Sequence, residues 1–440
     1  MHVLWGLGGM LGLVAIAVAV STNRRAIKLR TVLAALALQA GFGVLVLYVP
    51  AGRAVLRGAS EGVQAIIDSS KEGIGFLFGP ILPKEGVVFA FQVLPVIVFF
   101  ASLTSILFHL GWLQKVVDVL GGGLGRLLGT ERAESVNAAA NIFLGQTEAP
   151  LVIRPYLGGL TRSGLFAVMV GGLSTVAGSV LVGYALLGAN LDYLIAASFM
   201  AAPGALLMAK LVVPEDGRIT SDEAPERHAD GEPAEAEPAK AEPADGEPDD
   251  GEPADGEPAD DADGDAAQSP HRNLIDAAAA GAAEGLKLAL NIGAMLLAFI
   301  SLIALVNLIL GAVGGLFGHG DLTFQTLLGY VFAPIMTMIG VPWSEAVSAG
   351  SFVGQKVVVN EFVAFSTFGP EAAQFSPKAA AIVTFDLTGF ANLGSLGILL
   401  GGLGSLAPEK RGEIAHLGMR AVLAATLANL MSATIAGMLL

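Results

Sequence analysis

The chain has 440 residues, of which 54% are hydrophobic and only 14% are charged, a composition that excludes an ordinary water-soluble fold. No cysteine is present, which excludes disulfides, thiolate metal sites and cysteine nucleophiles. The net charge of −15 is concentrated in residues 214–268, where 21 acidic residues against three basic ones give −18 and leave +3 for the rest of the chain. Several apolar runs of about 20 residues, each long enough to cross roughly 30 Å of hydrocarbon, predict an all-α polytopic membrane protein.

The first three transmembrane helices are predicted at about 2–21, 31–49 and 86–110. Four basic residues lie between the first two helices, and the positive-inside rule places that loop in the cytoplasm and the N-terminus outside. Charged residues interrupt the apolar positions of residues 52–80, which predicts an interfacial or extracellular helix. Pro95 predicts a kink in the third transmembrane helix.

Residues 141–157 bring together a glycine, an amide, a hydroxyl, a carboxylate and a proline inside a chain that is otherwise apolar. Pro150 disfavours helical backbone at Ala149, so we predict a short helical hairpin with a polar tip, which enters from the cytoplasm after an amphipathic helix at 114–129. Irregular backbone at membrane depth persists only where protein buries it or where it lines a water-filled cavity. The tip therefore predicts a ligand site that includes Glu148, and the alternative is a carboxylate in a surface loop.

The helix after this hairpin, at about 163–187, carries glycines and hydroxyls in its middle, at 171–179. This composition predicts a local break whose free carbonyl groups hold a cation. The alternative is ordinary small-residue packing between helices. A crossing at 191–213 then ends in the cytoplasm. Residues 214–272, with repeated Gly-Glu-Pro-Ala-Asp units and almost no aliphatic residues, predict a disordered acidic linker.

The second half of the chain repeats this plan. After a transmembrane helix at about 286–310, a second hairpin carries Asn360 and Glu361 at its tip. The helix that follows is interrupted by glycine and polar residues at 389–395, and the last crossing, at 414–440, ends outside.

A hairpin, a broken helix and a complete crossing thus occur in the same order in both halves, with opposite orientation in the membrane. Such inverted repeats are typical of secondary transporters, whose site lies at the midplane where the repeats meet. The predicted fold has eight transmembrane helices plus two re-entrant hairpins in an inverted repeat, with interfacial helices. The predicted domains are scaffold helices one to three at 1–112, the first transport repeat at 113–213, the linker at 214–272, scaffold helix six with an interfacial segment at 273–340, and the second transport repeat at 341–440.

The motifs Gly-Gln-Thr-Glu-Ala-Pro at 145–150, Asn-Glu-Phe-Val-Ala at 360–364 and Gly-Phe-Ala-Asn at 389–392 occur in this order. They resemble the signatures of the concentrative nucleoside transporters and are most similar to the bacterial sodium-coupled members. The resemblance extends over almost the whole chain apart from the acidic linker. It implies a homotrimer in a bacterial inner membrane, with both termini outside, that imports uridine-like nucleosides by sodium symport with an elevator-like movement. A proton-coupled nucleoside symporter is the alternative. Neither a cofactor nor a nucleic-acid partner is expected.

The resemblance also assigns site residues by position. The base contacts fall on Gln146, Thr147, Glu148 and Val180. The ribose contacts fall on Glu361, Asn392 and Ser395, with Phe390 beside the sugar. The sodium ligands fall on the backbone carbonyl groups of Asn141, Leu144, Thr175 and Val176 and on the Thr175 hydroxyl. The chemistry agrees independently, because carboxylate and amide oxygens accept hydrogen bonds from the hydroxyls of a neutral nucleoside.

Asp386 departs from the family pattern, which usually has small or apolar residues just before Gly389. Because Asp386 lies four residues before Phe390, the two side chains are expected to share one helix face, directed toward the transport site. The carboxylate is then ionised in a water-filled cavity, paired with a donor such as Lys356, or neutral. We hypothesise that Asp386 tunes substrate or ion selection, and the alternative is a structural hydrogen bond.

Two other classes of function fit the sequence less well. An intramembrane enzyme is disfavoured, because the six histidines show no His-Glu-x-x-His spacing and the chain has no Gly-x-Ser-x-Gly elbow. A passive channel agrees with the hydropathy but does not need two polar hairpin tips that face two broken helices.

Overall fold

The computed structural model describes residues 2–83, 88–216 and 272–440, and the regular elements in these ranges are all helical. The all-α prediction is therefore confirmed for the described residues, whereas nearly all of the predicted linker at 214–272 lies outside them. The α-helices are α1 His2–Ala19, α2 Leu29–Gly43, α3 Pro50–Phe78, α4 Leu94–His109, α5 Trp112–Leu128, α6 Arg132–Ala140, α7 Ala149–Val152, α8 Arg162–Ser174, α9 Gly178–Leu186, α10 Leu191–Val212, α11 Leu274–Gly315, α12 Phe324–Met338, α13 Trp343–Val358, α14 Glu361–Glu371, α15 Pro377–Leu387, α16 Leu393–Leu406 and α17 Arg411–Leu439.

Six helical segments of the described chain are long and apolar enough to cross a membrane. They are Leu29–Tyr48, Phe89–His109, Arg162–Leu186, Leu191–Val212, Leu274–Gly315 and Pro408–Leu439. The other two predicted crossings are shorter. The apolar part of α1 is only Leu4–Ala19, and the seventh predicted crossing, which the sequence interrupts at 389–395, is divided into α15 and α16. The count of eight therefore stays a prediction. Helices α12 and α13 bend by 118° at a short break, as in a broken span or a re-entrant loop.

Helix α11 is one continuous helix of 42 residues, which begins well before the crossing predicted at 286–310. At about 1.5 Å per residue it is roughly 60 Å long, about twice the hydrocarbon thickness. Gly281 and Gly285 do not break it. They let it approach α4 closely, since Gly281 lies against Ser102 and Gly285 against Val98.

The most buried helices form the centre of the molecule. Most residues of α8, α9, α10 and α17 are buried, whereas α11 buries only a stripe that includes Gly281, Gly285 and Ile292. Helix α2 joins the centre through Gln39, which donates to the Ser432 hydroxyl of α17 at 2.8 Å. The exposed apolar side of α11 is the surface expected to face lipid, and the polar chemistry lies in the buried helices.

A buried ion pair fixes the first hairpin onto this centre. The Lys210 ammonium of α10 lies 2.8 Å from the Glu134 carboxylate of α6 and also donates to the Ser163 hydroxyl of α8 at 3.0 Å. Glu134 and Lys210 are both buried. The pair therefore connects the first arm of the hairpin to two central helices.

We expect Glu134→Ala to lower the free energy of unfolding by roughly 3 kcal/mol, because the buried Lys210 ammonium loses its nearest carboxylate and keeps only the more distant Glu215, at 3.6 Å, and the Ser163 hydroxyl. The matched control is Asp68→Ala, which breaks an exposed ion pair with Lys71 at 2.7 Å and should leave the stability nearly unchanged. Thermal unfolding of the purified proteins in detergent measures both. Equal losses in the two variants would contradict the anchoring role of Glu134.

Candidate functional site

The first hairpin has an irregular tip. Helix α6 ends at Ala140, and α7 begins at Ala149 with Pro150 in its first turn, where the missing N–H costs no hydrogen bond. The backbone N–H of Gly145 donates to Oε2 of Glu148 at 3.3 Å, so the carboxylate folds back over the tip. In the described part of the chain this is the one hydrogen bond of the Glu148 side chain, which is exposed like that of Thr147.

The first broken helix meets this tip as predicted. Helix α8 ends at Ser174 and α9 begins at Gly178, and the N–H of Gly178 donates to the carbonyl of Phe143 at 3.0 Å. Gly172 allows a close approach, because a Cβ atom there would lie 2.9 Å from Cβ of Gln146. The Thr175 hydroxyl donates to the carbonyl of Gly171 at 2.9 Å. A backbone hydrogen bond therefore joins the first tip to the first break, and the lack of a side chain at Gly172 lets the two segments approach closely.

The four residues expected to hold sodium are all buried at this junction: Asn141, Leu144, Thr175 and Val176. The side-chain N–H of Asn141 donates to the carbonyl of Asn137 at 2.9 Å, and its Oδ1 has no hydrogen-bond partner. Oε1 of Gln146 is also buried without a partner. Buried acceptors are normally satisfied, and a small hard cation would satisfy these neutral oxygens.

The second hairpin tip contains a satisfied carboxylate. Glu361 is buried, its Oε1 accepts from the Tyr184 hydroxyl at 3.1 Å, and its Oε2 accepts from Nδ2 of Asn392 at 2.8 Å. Oδ1 of Asn392 in turn accepts from the N–H of Ser395 at 2.7 Å, which caps α16. Asn360 caps α14 in the same way, by accepting from the N–H of Val363 at 2.8 Å. Three of the predicted ribose contacts therefore lie together, oriented by two helix caps.

The two broken helices touch each other directly. The N–H of Phe390, in the break between α15 and α16, donates to the carbonyl of Thr175, in the break between α8 and α9, at 3.2 Å. Tyr184 adds a second link, because it belongs to α9 and binds Glu361 at the start of α14. The predicted ribose side and the predicted cation side are therefore contiguous.

Asn429 of α17 also connects the two breaks. The sequence analysis did not identify it as a site residue. Its Nδ2 donates to the carbonyl of Ser174 at 2.7 Å and to that of Thr388 at 3.2 Å. The available signal was an amide inside an apolar crossing, where polar groups are costly and face the interior.

The prediction that Asp386 and Phe390 share one helix face is wrong. Helix α15 ends at Leu387, so Phe390 lies in the break and the two residues share no helix face. Asp386 is fully buried instead, with Oδ2 3.8 Å from the Lys356 ammonium. Of the three environments considered for the carboxylate, the structure shows the pairing with Lys356. The geometric reason for a role in selectivity is therefore lost.

The remaining predicted contacts lie on the side of the first tip. Val180 is buried in α9, and a Cβ atom at Gly402 of α16 would lie 2.9 Å from Cγ2 of Thr147. No hydrogen bond joins Glu148 to Glu361 in the ranges that the structure describes. Of the four predicted base contacts, Thr147 and Glu148 are therefore exposed, whereas Gln146 and Val180 are buried.

Two polar hairpin tips that meet two broken helices inside an apolar helical body define a membrane transporter. Three family profiles match the chain: "Na+ dependent nucleoside transporter N-terminus" at residues 8–81, "Nucleoside recognition" at 90–191 and "Na+ dependent nucleoside transporter C-terminus" at 193–437. The chain is 51% identical to the uncharacterized transporter YutK of Bacillus subtilis, over all of both chains. It is 44% identical to the nucleoside permease NupC of Helicobacter pylori, over 99% of this chain and 97% of that protein.

Solved structures agree with the fold. The structure of CNTnw in an inward-facing substrate-bound state has a TM-score of 0.87 at 49% identity and covers 100% of this chain and 98% of its own. An outward-facing variant of the same protein has a TM-score of 0.86 at 48% identity, with the same coverage. The chain belongs to the sodium-dependent nucleoside transporter family, and it is a membrane transporter, not an enzyme.

Proposed function

We propose that this protein imports uridine-like nucleosides by sodium symport, with elevator-type alternating access. The observation that carries the proposal is the junction of the two breaks, where the N–H of Phe390 donates to the carbonyl of Thr175 and the buried carboxylate of Glu361 lies beside Asn392. A nucleoside is neutral and carries vicinal hydroxyls, which donate to carboxylate and amide oxygens. We assign the ribose to Glu361, Asn392 and Ser395, with Phe390 beside the sugar.

The base then lies on the side of the first tip. Gln146 and Thr147 both donate and accept hydrogen bonds, so they suit the mixed donors and acceptors of a base edge. Glu148 accepts only, and Val180 offers an apolar surface to the flat ring. We propose these four residues as the base contacts.

We propose that the coupling sodium ion binds to the carbonyl groups of Asn141, Leu144, Thr175 and Val176, together with the Thr175 hydroxyl. The burial of all four residues where the first tip meets the first break supports this assignment. Half-helix ends supply carbonyl groups of this kind to sodium in discontinuous-helix transporters.

The test is uptake of radiolabelled uridine into proteoliposomes with an imposed sodium gradient or an imposed proton gradient. Sodium symport predicts saturable accumulation above the external concentration under the sodium gradient alone. Accumulation driven by the proton gradient without sodium would contradict sodium coupling and favour the proton-coupled alternative. Uptake that never exceeds equilibration would indicate a passive channel.

Thr175→Val is expected to raise the half-saturating sodium concentration roughly tenfold, because it removes one oxygen ligand and keeps the side-chain volume. Thr388→Val is the matched control. Thr388 also follows a first half-helix and donates to the carbonyl four residues before it, that of Thr384, at 2.7 Å. Its substitution should leave the sodium dependence of uridine uptake nearly unchanged. An equal shift in both variants would contradict the assignment of sodium to the first repeat.

We further propose a homotrimer in the bacterial inner membrane, with eight crossings, two re-entrant hairpins and both termini outside. The absence of cysteine allows a direct test of orientation. In intact cells a membrane-impermeant thiol reagent should label Leu440→Cys and should not label Ala26→Cys, which lies in the basic loop. The reverse pattern would contradict the orientation, and cross-linking of the purified protein into dimers alone would contradict the trimer.

A further inference from the structure

One side of α6 carries three buried polar side chains in a line. Glu134, Asn137 and Asn141 follow one another at helical spacing, so they share one face of the helix. The N–H of Asn141 donates to the carbonyl of Asn137 at 3.0 Å, so the helical geometry reaches the proposed sodium site. At about 1.5 Å of rise per residue, the line is roughly 10 Å long.

Each of these side chains keeps at least one polar atom without a hydrogen-bond partner in the ranges that the structure describes. These atoms are Oε2 of Glu134, both Oδ1 and Nδ2 of Asn137, and Oδ1 of Asn141. Buried polar atoms are normally satisfied, and a leucine at position 137 would occupy the place without this cost. Polar groups kept inside a membrane protein at such a cost commonly mark an ion pathway.

Two glycines of α8 form the wall opposite this line. Gly164 and Gly171 are seven residues apart and therefore lie on the same side of α8. A Cβ atom at Gly164 would lie 3.2 Å from Oε1 of Glu134. One at Gly171 would lie 3.4 Å from Nδ2 of Asn137 and of Asn141. The three side chains of α6 thus face glycine backbone along their whole length, and we call this contact between α6 and α8 the polar seam.

The polar seam begins at a cavity of about 150 Å³, whose lining includes Lys28, Glu131, Glu134 and Lys210. Lys28 and Glu131 are exposed, so the cavity reaches the surface of the described chain. Lys28 also belongs to the basic loop that the positive-inside rule places in the cytoplasm. The seam therefore runs from the predicted cytoplasmic surface to Asn141, whose carbonyl group is a proposed sodium ligand.

We propose that the polar seam is the route by which the coupling sodium ion leaves its site for the cytoplasm, with Oδ1 of Asn137 and Oε2 of Glu134 as successive ligands. This inference rests on the proposed sodium site and the proposed orientation. A departing ion needs a new oxygen at each step, and a route conducts only when each step holds the ion weakly. The Lys210 ammonium, 2.8 Å from Oε1 of Glu134, balances the carboxylate charge, so the last ligand releases the ion readily.

Asn137→Leu makes the middle of the polar seam apolar and keeps the number and branching of the side-chain heavy atoms. The backbone carbonyl of residue 137, which accepts from Nδ2 of Asn141 at 2.9 Å, is retained. The equilibrium affinity for sodium should therefore be unchanged. The release of sodium to the cytoplasm should slow roughly tenfold or more, because the ion loses an oxygen ligand on its way out.

The experiment compares two kinds of uridine uptake in right-side-out membrane vesicles. Net uptake into sodium-free vesicles requires release of sodium at the inner face. Exchange of labelled for unlabelled uridine, with saturating sodium on both sides, does not require it. Asn137→Leu should slow net uptake and leave both the exchange and the sodium dependence of uridine binding unchanged. The matched control is Ser135→Ala, which should change none of these, because the buried Ser135 faces Gly125 of α5 on another side of α6.

Equal slowing of net uptake and exchange in Asn137→Leu would overturn the inference, and so would a weaker sodium affinity, because the side chain would then serve the fold or the sodium site itself. Unchanged net uptake would also overturn it, since the ion would leave by another way, such as past the exposed tip at Thr147. A wild type whose net uptake does not depend on sodium would instead contradict the proposed sodium symport.

If Asn137→Leu fails to fold, the smaller substitution Asn137→Cys takes its place. Because the chain has no cysteine of its own, this thiol is the single target for silver ions, which bind thiolates and are close to sodium in size. Silver added at the cytoplasmic face of inside-out vesicles should inhibit uridine transport by Asn137→Cys and should not inhibit Ser135→Cys. Insensitivity of Asn137→Cys to silver, or equal inhibition of both variants, would overturn the inference.

Discussion

Glu361→Gln is expected to weaken uridine binding roughly tenfold to a hundredfold, since the loss of a charged hydrogen-bond partner costs about 1.5–3 kcal/mol. The carboxylate of Glu361 accepts from Tyr184 at 3.1 Å and from Asn392 at 2.8 Å, so its position is fixed before substrate binds. Glutamine has nearly the same size. It replaces one acceptor oxygen by a donor, however, so the side chain loses its charge and one of the oxygens that can accept from a ribose hydroxyl.

Calorimetric titration of the purified proteins with uridine measures this effect. Glu345→Gln is the matched control, because Glu345 lies in the first turn of the same hairpin and accepts from the Ser376 hydroxyl at 2.9 Å. The control should bind uridine as the wild type does. Glu148→Gln, at the other tip, should also weaken binding. Normal uridine affinity in Glu361→Gln would remove the carboxylate from the substrate site.

Asn429→Leu is expected to lower the free energy of unfolding by about 3 kcal/mol or more and to abolish transport. The substitution keeps the number and branching of the side-chain heavy atoms but removes the donor to two carbonyl groups and the acceptor for Lys356. Each buried polar group that loses its partner costs roughly 1–3 kcal/mol. The two breaks also lose the side chain that connects them.

Thermal unfolding in detergent and uridine uptake in proteoliposomes measure the two parts of this prediction. Thr434→Val serves as control, because the buried Thr434 hydroxyl is on the same helix and donates to the carbonyl of Leu430, within that helix, at 2.7 Å. The control should lose little stability and keep transport. Wild-type stability and transport in Asn429→Leu would show that the connection between the breaks is dispensable.

The irregular parts of the fold were the most predictable from the sequence. Glycine, proline and hydroxyl residues are conspicuous in an apolar chain. The expected interruption at 171–179 contains the observed break after Ser174, and the one expected at 389–395 overlaps the break between Leu387 and Leu393. The amphipathic helix expected at 114–129 is present as Trp112–Leu128. These features depend on local backbone preference, which a single sequence records.

Contacts between distant segments were not predictable in the same way. Asn429 lies 255 residues from Ser174, and no local pattern indicates that pairing. Asp386 was misplaced because a helix face shared with Phe390 requires a helix that continues to Phe390, whereas α15 ends at Leu387. The start of α11 at Leu274 was missed because the predicted crossing began only at 286. Gly281 and Gly285, which precede that crossing, pack α11 on α4.

The central claim is that sodium and nucleoside bind on two sides of one junction, where the carbonyl of Thr175 accepts from the N–H of Phe390 at 3.2 Å. The most direct test is calorimetric titration of the purified protein with uridine, with sodium and with choline in its place. Sodium should raise the affinity for uridine about 5- to 150-fold, and uridine should raise the affinity for sodium by the same factor, because coupling between two binding sites is reciprocal. A uridine affinity that is the same in sodium and in choline would contradict the claim.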